Sequence, residues 1–228
     1  GAVVGFAIGD ALGASIEFSR GNQRVSGFEP SFSKGLKAGQ YTDDTQHLEI
    51  GLDAVIETMG EIDLKDISKR LIQWYNSGEA RSIGRTTELA IKNLMGGIKA
   101  NQSGIDNINS CGSLGLARLV PYSLLSAVSR YKHKLQRKDI KKILGITHAH
   151  RNVLQMGELF NYFVQEIMHG RNAKRTLNMI VFEDEFLNKK IRQKLDGIGK
   201  LSDSAKDSNI AIKSIGSGGF IEEVVMSS

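Results

Sequence analysis

The chain has one cysteine and two prolines. Runs of alternating apolar and polar residues are nearly absent, and Val181-Phe182 is too short to count as one. The lone thiol, Cys111, excludes an internal disulfide framework and fits a reducing compartment, so a cytoplasmic location is expected. With only Pro30 and Pro121 to interrupt them, long stretches are open to helix. No apolar run reaches the ~18–20 residues that span a bilayer. The segment from Gly1 to Ala14 is apolar, but it lacks a basic leader and carries Asp10, so it is not read as a signal peptide. Aromatic residues are also scarce within the basic segments. The net charge of +5 draws on Arg130–Lys142 and Lys189–Lys194, where Tyr131 alone could stack on a base. These runs are read as solvated faces, and nucleic-acid binding is disfavoured.

What the chain does contain is helical periodicity. At 228 residues, 40% hydrophobic and 24% charged, it suits one compact globular domain over 1–228. Residues 2–18 form a small-residue pattern with Gly5, Gly9 and Gly13 every four positions, a spacing that lets another backbone approach. Residues 19–40 read as a long loop. From Thr45 the pattern turns helical, with Leu48, Leu52, Val55, Ile56 and Met59 on one face. A helix capped by Asp63 or Asp66 follows, burying Ile67, Leu71, Ile72 and Trp74–Tyr75. Another, capped by Thr86 or Thr87, carries Leu89, Ala90, Leu94 and Ile98. Beyond a Gly/Ser/Asn loop at 101–115, helices are expected at 118–130, 139–146, 152–169, 173–180, 183–195 and from 219 onward. The predicted fold class is all-α.

Five elements carry chemistry. In Tyr41-Thr42-Asp43-Asp44-Thr45, adjacent carboxylates between threonine hydroxyls form an oxygen-only donor set suited to Mg²⁺, Mn²⁺ or Ca²⁺. The same residues also suit a metal-free helix N-terminus. Asp10 and Glu17, seven residues apart, would share one face of a single helix, for acid/base work or as solvent-facing and capping groups. Ser82-Ile83-Gly84-Arg85-Thr86-Thr87 reads as a loop entering a helix. Asn109–Arg118 is a Gly/Ser loop whose bare N–H groups, with Arg118 nearby, could cradle a pyrophosphate. Thr147-His148-Ala149-His150 sets two histidines at i and i+2, which is wrong for a zinc site. It leaves one histidine as a ligand contact, or both as loop and capping residues.

In order and spacing these elements resemble the ADP-ribosylglycohydrolase family, which includes the dinitrogenase reductase-activating glycohydrolases. Gly-Asp-x-x-Gly-x-x-x-Glu is matched at Gly9–Glu17, Tyr-Thr-Asp-Asp-Thr at Tyr41–Thr45, and Ile-Gly-x-Thr-Thr at Ile83–Thr87. The Gly-rich loop and Met-Arg-x-x-Pro correspond to Gly112–Pro121, with Ala117 replacing Met. Thr147–His150 and the late turn Gly216-Ser217-Gly218-Gly219-Phe220 complete the set, which covers nearly the whole chain.

The resemblance implies an all-α, multi-helix fold and a hydrolase that removes ADP-ribose from a modified protein side chain or small molecule. It implies two Mg²⁺ or Mn²⁺ ions, with Thr42, Asp43 and Asp44 as metal ligands and Glu17 and Asp44 as catalytic groups. Gly112, Ser113, Gly115 and His148 become the substrate contacts. A monomer with no membrane association is expected. The family's second acidic motif, Gly-Asp-x-Asp-Thr, is absent before Ser228, so the chain is read as truncated at its C-terminus, with half the metal oxygens. That absence sustains an alternative: a non-catalytic ADP-ribose binder or structural member of the same fold, as the related lens crystallins suggest.

Overall fold

A computed structural model of the chain describes residues 1–17, 25–129, 134–172, 175, 176 and 193. Among them are seven α-helices and no strand. The helices are α1 (Ala2–Gly13), α2 (Asp43–Glu57), α3 (Leu64–Asn76), α4 (Arg85–Met95), α5 (Leu114–Val128), α6 (Arg137–Gly145) and α7 (Arg151–Met168). Short 3₁₀ turns occupy Phe32–Lys34 and Ile108–Ser110. No described helix is long and apolar enough to cross a membrane. The helices expected at 183–195 and from 219, most of that at 173–180, and the turn Gly216–Phe220 lie outside the described residues.

The central element is α5. Leu114 through Ser123 are buried without interruption, the mark of a helix covered on all sides. Around it pack α2, α6 and α7, with α3 and α4 completing the shell and α1 resting on α2. The core joins Ile67 and Leu71 of α3, Ile91 of α4, Leu119 of α5, Ile143 and Leu144 of α6, and Met156 of α7. Each such side chain contributes roughly 1.5–3 kcal/mol of burial free energy. The closest crossing is that of α2 with α5, where a Cβ on Gly51 would overlap the carbonyl of Arg118. Only glycine admits the two backbones there.

Several boundaries differ from the sequence reading. Helix α1 stops at Gly13, and residues 14–17 form turns in which the amides of Ile16 and Glu17 both donate to the Gly13 carbonyl. Asp10 and Glu17 therefore do not share a helix. No described atom lies within 4 Å of a Cβ built on Gly5, Gly9 or Gly13, so among the described residues the glycine stripe receives no close backbone. On α2 the buried stripe runs through Leu48, Gly51 and Ala54, while Ile56 and Met59 are exposed. The helix turns its small residues to α5 because they allow the closest approach. The cap of α4 is the Gly84 backbone rather than Thr86 or Thr87; Leu89 and Ile98 are exposed, and Ile91 takes the core position. Helix α5 begins at Leu114, earlier than expected, and keeps Pro121 inside. There the ring forfeits one helical hydrogen bond, a loss offset by complete burial. Asp63 caps α3 as expected, accepting from the amides of Lys65 and Asp66.

Candidate active site

The first half of the site is the N-terminus of α2. Thr42 is the N-cap, its hydroxyl accepting from the Asp44 amide at 3.2 Å. Asp43 and Asp44 fill the first turn, where the helix dipole favours negative charge. What fixes this turn comes from α1. Asp10 Oδ1 accepts from the Thr42 hydroxyl at 2.8 Å. Oδ2 accepts from the Thr42 amide at 3.0 Å, the Thr45 amide at 3.0 Å and the Thr45 hydroxyl at 2.6 Å. Asp10 is thus a cap, but for a helix 32 residues further along the chain, and its oxygens are spent on that task. The local pattern held no signal for this.

Asp43 is buried and Asp44 partly so. Burial, and then the charge of Asp44, pushes Asp43 up to about 8; burial, and then Asp10, pushes Asp44 up to about 6. Lys34, on the first 3₁₀ turn, faces this acidic corner and is ion-paired with Glu17. Its own pKa is lowered, since burial outweighs the attraction of Asp43, Asp10 and Asp44. Residues 19–40 carry no periodicity from which Lys34 could be singled out. The corner is braced from the far side by Gln46, which donates to the Glu79 carbonyl at 2.8 Å and accepts from the Arg81 amide at 2.9 Å. Arg81 in turn donates to the Tyr41 carbonyl at 3.0 Å and lies over the Tyr41 ring.

The donor chemistry here fits a hard divalent cation. Two carboxylates leaning toward protonation, next to a threonine hydroxyl with a lone pair to spare, are under-compensated by Lys34. Mg²⁺ is satisfied by one or two carboxylates with water filling its remaining positions. The fit is partial. Among the described residues no group of three or more His, Cys, Asp or Glu side chains is arranged to hold a metal ion.

The second half is built by α5 and the Thr147–His150 turn. Ser113 stands at the N-cap of α5, Gly112 and Ser113 are partly exposed, and Gly115 lies in the buried run that starts at Leu114. A Cβ on Gly115 would lie 3.1 Å from Leu144 Cδ2 and 3.7 Å from His148 Nδ1, so the structure brings Gly115 and His148 together. His148 is pinned by a bridge to Ile105, whose amide donates to the Thr147 carbonyl and whose carbonyl accepts from the Ala149 amide. His150 has the other role left open by the sequence: it caps α7, its Nδ1 accepting from the Asn152 amide at 3.3 Å and lying 3.2 Å from Cys111 Sγ.

Arg118 passes beside Gly115, its Nη2 3.9 Å from where a Cβ on that glycine would lie, and spends its guanidinium on the core. It is 0% exposed, and its guanidinium meets His47 Nδ1 at 3.0 Å, the Ile143 carbonyl at 3.0 Å and Thr147 Oγ1 at 2.8 Å. Among the described residues no carboxylate pairs with it. Burial lowers its pKa to about 10, so the cation persists at neutral pH. Burial, and then the Arg118 charge, lowers His148 to about 3 and holds His47 well below its ordinary value. Both imidazoles are neutral. The chain His47–Arg118–Thr147–His148 ties the acidic helix end to the glycine loop.

Comparison with known proteins identifies the family and the fold. The sequence pattern of the ADP-ribosylglycohydrolase family matches residues 1–227. An ADP-ribosylarginine hydrolase, Tri1, of Pseudomonas putida (strain GB-1) is 33% identical over 185 residues, covering 78% of this chain and 48% of that protein. The ADP-ribosyl-[dinitrogen reductase] glycohydrolase of Rhodospirillum rubrum is 33% identical over 101 residues, covering 42% of this chain and 34% of its own. A solved ADP-ribosylglycohydrolase-related protein complex superposes with a TM-score of 0.72 at 21% identity, covering 100% of this chain and 78% of that one. The chain spans about half the length of the curated relatives it matches. With the motifs in register from Gly9 to His150 and the family pattern running from end to end, the chain belongs to the ADP-ribosylglycohydrolase family.

Proposed function

We propose that the protein is a metal-dependent hydrolase that cleaves the glycosidic bond between ADP-ribose and a modified protein side chain or small molecule. The observation that carries this reading is the Asp43–Asp44 pair, one buried and one half-buried, at the mouth of α2 that Asp10 caps, with both carboxyls pushed toward protonation. Thr42, Asp43 and Asp44 would hold Mg²⁺ or Mn²⁺, which when bound would orient the ribose hydroxyls and a water. Glu17 is the proton carrier at C1″. Lys34, ion-paired with it, holds the carboxylate in place for that task. Asp44 backs this step from the helix end. The amides of Gly112 and Ser113 and the edge of His148, beside Gly115, bind the ADP portion, whose remote binding energy orients the scissile bond. The names of the relatives in Serratia proteamaculans and Pseudomonas putida support ADP-ribosylarginine as the first substrate to try.

Incubation of the whole protein with ADP-ribosylated arginine and serine substrates plus Mg²⁺, beside an Asp43→Ala/Asp44→Ala variant, tests the reading. Release of ADP-ribose by the parent protein alone is expected. Equal release by both removes the metal, and release by neither removes the enzyme. A second reading, an ADP-ribose-binding member without catalysis, is favoured by the incomplete donor set among the described residues. Calorimetry separates the two, since ADP-ribose affinity indifferent to Mg²⁺ and Mn²⁺ would support the binder.

A further inference from the structure

We infer that Arg118 and Thr147 act as positioning residues that lock His148 into the Nε2–H tautomer, making it a hydrogen-bond donor to the bound ligand. A guanidinium donates and never accepts. The 2.8 Å contact with Arg118 Nη2 therefore occupies a lone pair of Thr147 Oγ1. Thr147 is 0% exposed, and among the described residues the other partner of its hydroxyl is His148 Nδ1 at 2.9 Å. The buried hydroxyl proton has to go there, because an unplaced buried donor costs as much as a lost hydrogen bond. Nδ1 then accepts, and the single imidazole proton sits on Nε2.

The arrangement is more than a local bond. The second nitrogen of the same guanidinium donates to His47 Nδ1 at 3.0 Å, which fixes the proton of that ring on Nε2 as well. Nη2 also donates to the Ile143 carbonyl at 3.0 Å, so α6 holds the guanidinium in plane. One buried cation thereby sets two tautomers and opposes protonation of both rings. An imidazolium would lose its acceptor nitrogen and face the guanidinium directly. The ligand class this serves is one offering anionic or hydroxyl oxygens to a neutral donor, such as a pyrophosphate or ribose, and to that extent the inference rests on the functional reading above.

The test reads the tautomer directly and needs no ligand. Two-dimensional ¹⁵N–¹H spectra of the whole protein labelled at histidine, assigned with His148→Gln, should show His148 as Nε2–H across neutral pH. Thr147→Val should give a mixed or Nδ1–H ring, and Thr147→Ser should restore Nε2–H. Affinity for ADP-ribose should fall about tenfold in Thr147→Val, one decade being ~1.4 kcal/mol and the size of one lost hydrogen bond, and recover in Thr147→Ser. Should Thr147→Val fail to fold, Arg118→Lys serves instead, since a point ammonium cannot hold both Thr147 and His47. An Nδ1–H ring in the parent protein overturns the inference, as does a Thr147→Val or Arg118→Lys spectrum identical to the parent's. A parent protein that shows Nε2–H yet ignores ADP-ribose leaves the relay standing and removes the functional reading.

Discussion

The N-terminus of α2 and the Arg118 knot are both buried, both charged and joined through His47, yet they solve burial in opposite ways. At the α2 end, negative groups crowd together, and Asp43 and Asp44 lean toward taking up protons. At the knot a positive group is enclosed among neutral acceptors, and the histidines around it refuse protons. A buried charge survives when every donor it offers finds an acceptor, even without a counter-charge. The Arg118 knot comes closer to that state, with Arg118 Nε and His47 Nε2 lacking a partner among the described residues. The acidic corner does not, and it is the part of the molecule suited to receiving something from outside.

The comparison can be broken first at Arg118. Arg118→Met should cost about 3–5 kcal/mol in denaturant unfolding, because it strands the Ile143 carbonyl, Thr147 and His47 at once. A loss below ~1 kcal/mol would mean the knot is ornamental. Asp10→Ala comes next at about 2–4 kcal/mol, since it removes the acceptor for two amides and two hydroxyls at the α2 end.

The pH dependence of thermal unfolding sharpens the contrast, because the two regions pull in opposite directions. The folded-state pKa of Asp43 is raised from 3.8 to about 8, so its contribution is greatest in acid and is lost as pH climbs toward 8. The pKa of His148 is lowered from 6.5 to about 3, so the unfolded chain takes up its proton first and stability falls as pH drops from 6.5 toward 3. Adding Mg²⁺ should flatten the first slope, through occupancy of the carboxylates, and leave the second unchanged. Identical slopes with and without Mg²⁺ would show that no cation enters the acidic corner. The smallest effect on stability belongs to Glu17→Gln. Its partly exposed pair with Lys34 is worth ~0–1 kcal/mol. Turnover of ADP-ribosylarginine should nonetheless collapse, which urea titration and a release assay would separate.

Legibility in the sequence follows the same division. The acidic helix end was readable as a motif suited to a helix N-terminus, because capping chemistry is local and Asp43 and Asp44 sit in the first turn; that Thr42 is the cap came from the structure. Asp63 and the Ile67–Leu71 stripe of α3 were readable for the same reason. Asp10 was visible as an acid but not as the cap of a distant helix, since no periodicity encodes a bond across 32 residues. Arg118 was visible beside the glycine loop, yet the choice between facing a ligand and facing the core depends on acceptors from α2, α6 and the Thr147 turn. The buried face of α2 was misread for a related reason. Hydrophobicity pointed to Ile56 and Met59, whereas the contact with α5 is governed by smallness at Gly51 and Ala54.

That small contact has a mechanical consequence. Gly51 and His47 lie one helical turn apart on α2; the first bears on the main-chain oxygen of Arg118 and the second receives its side chain. The arginine is gripped at both ends by a single neighbour, so α2 and α5 behave as one beam rather than two rods free to slide. A molecule that touched the carboxylates at one end and the glycine loop at the other would meet a ruler of fixed length.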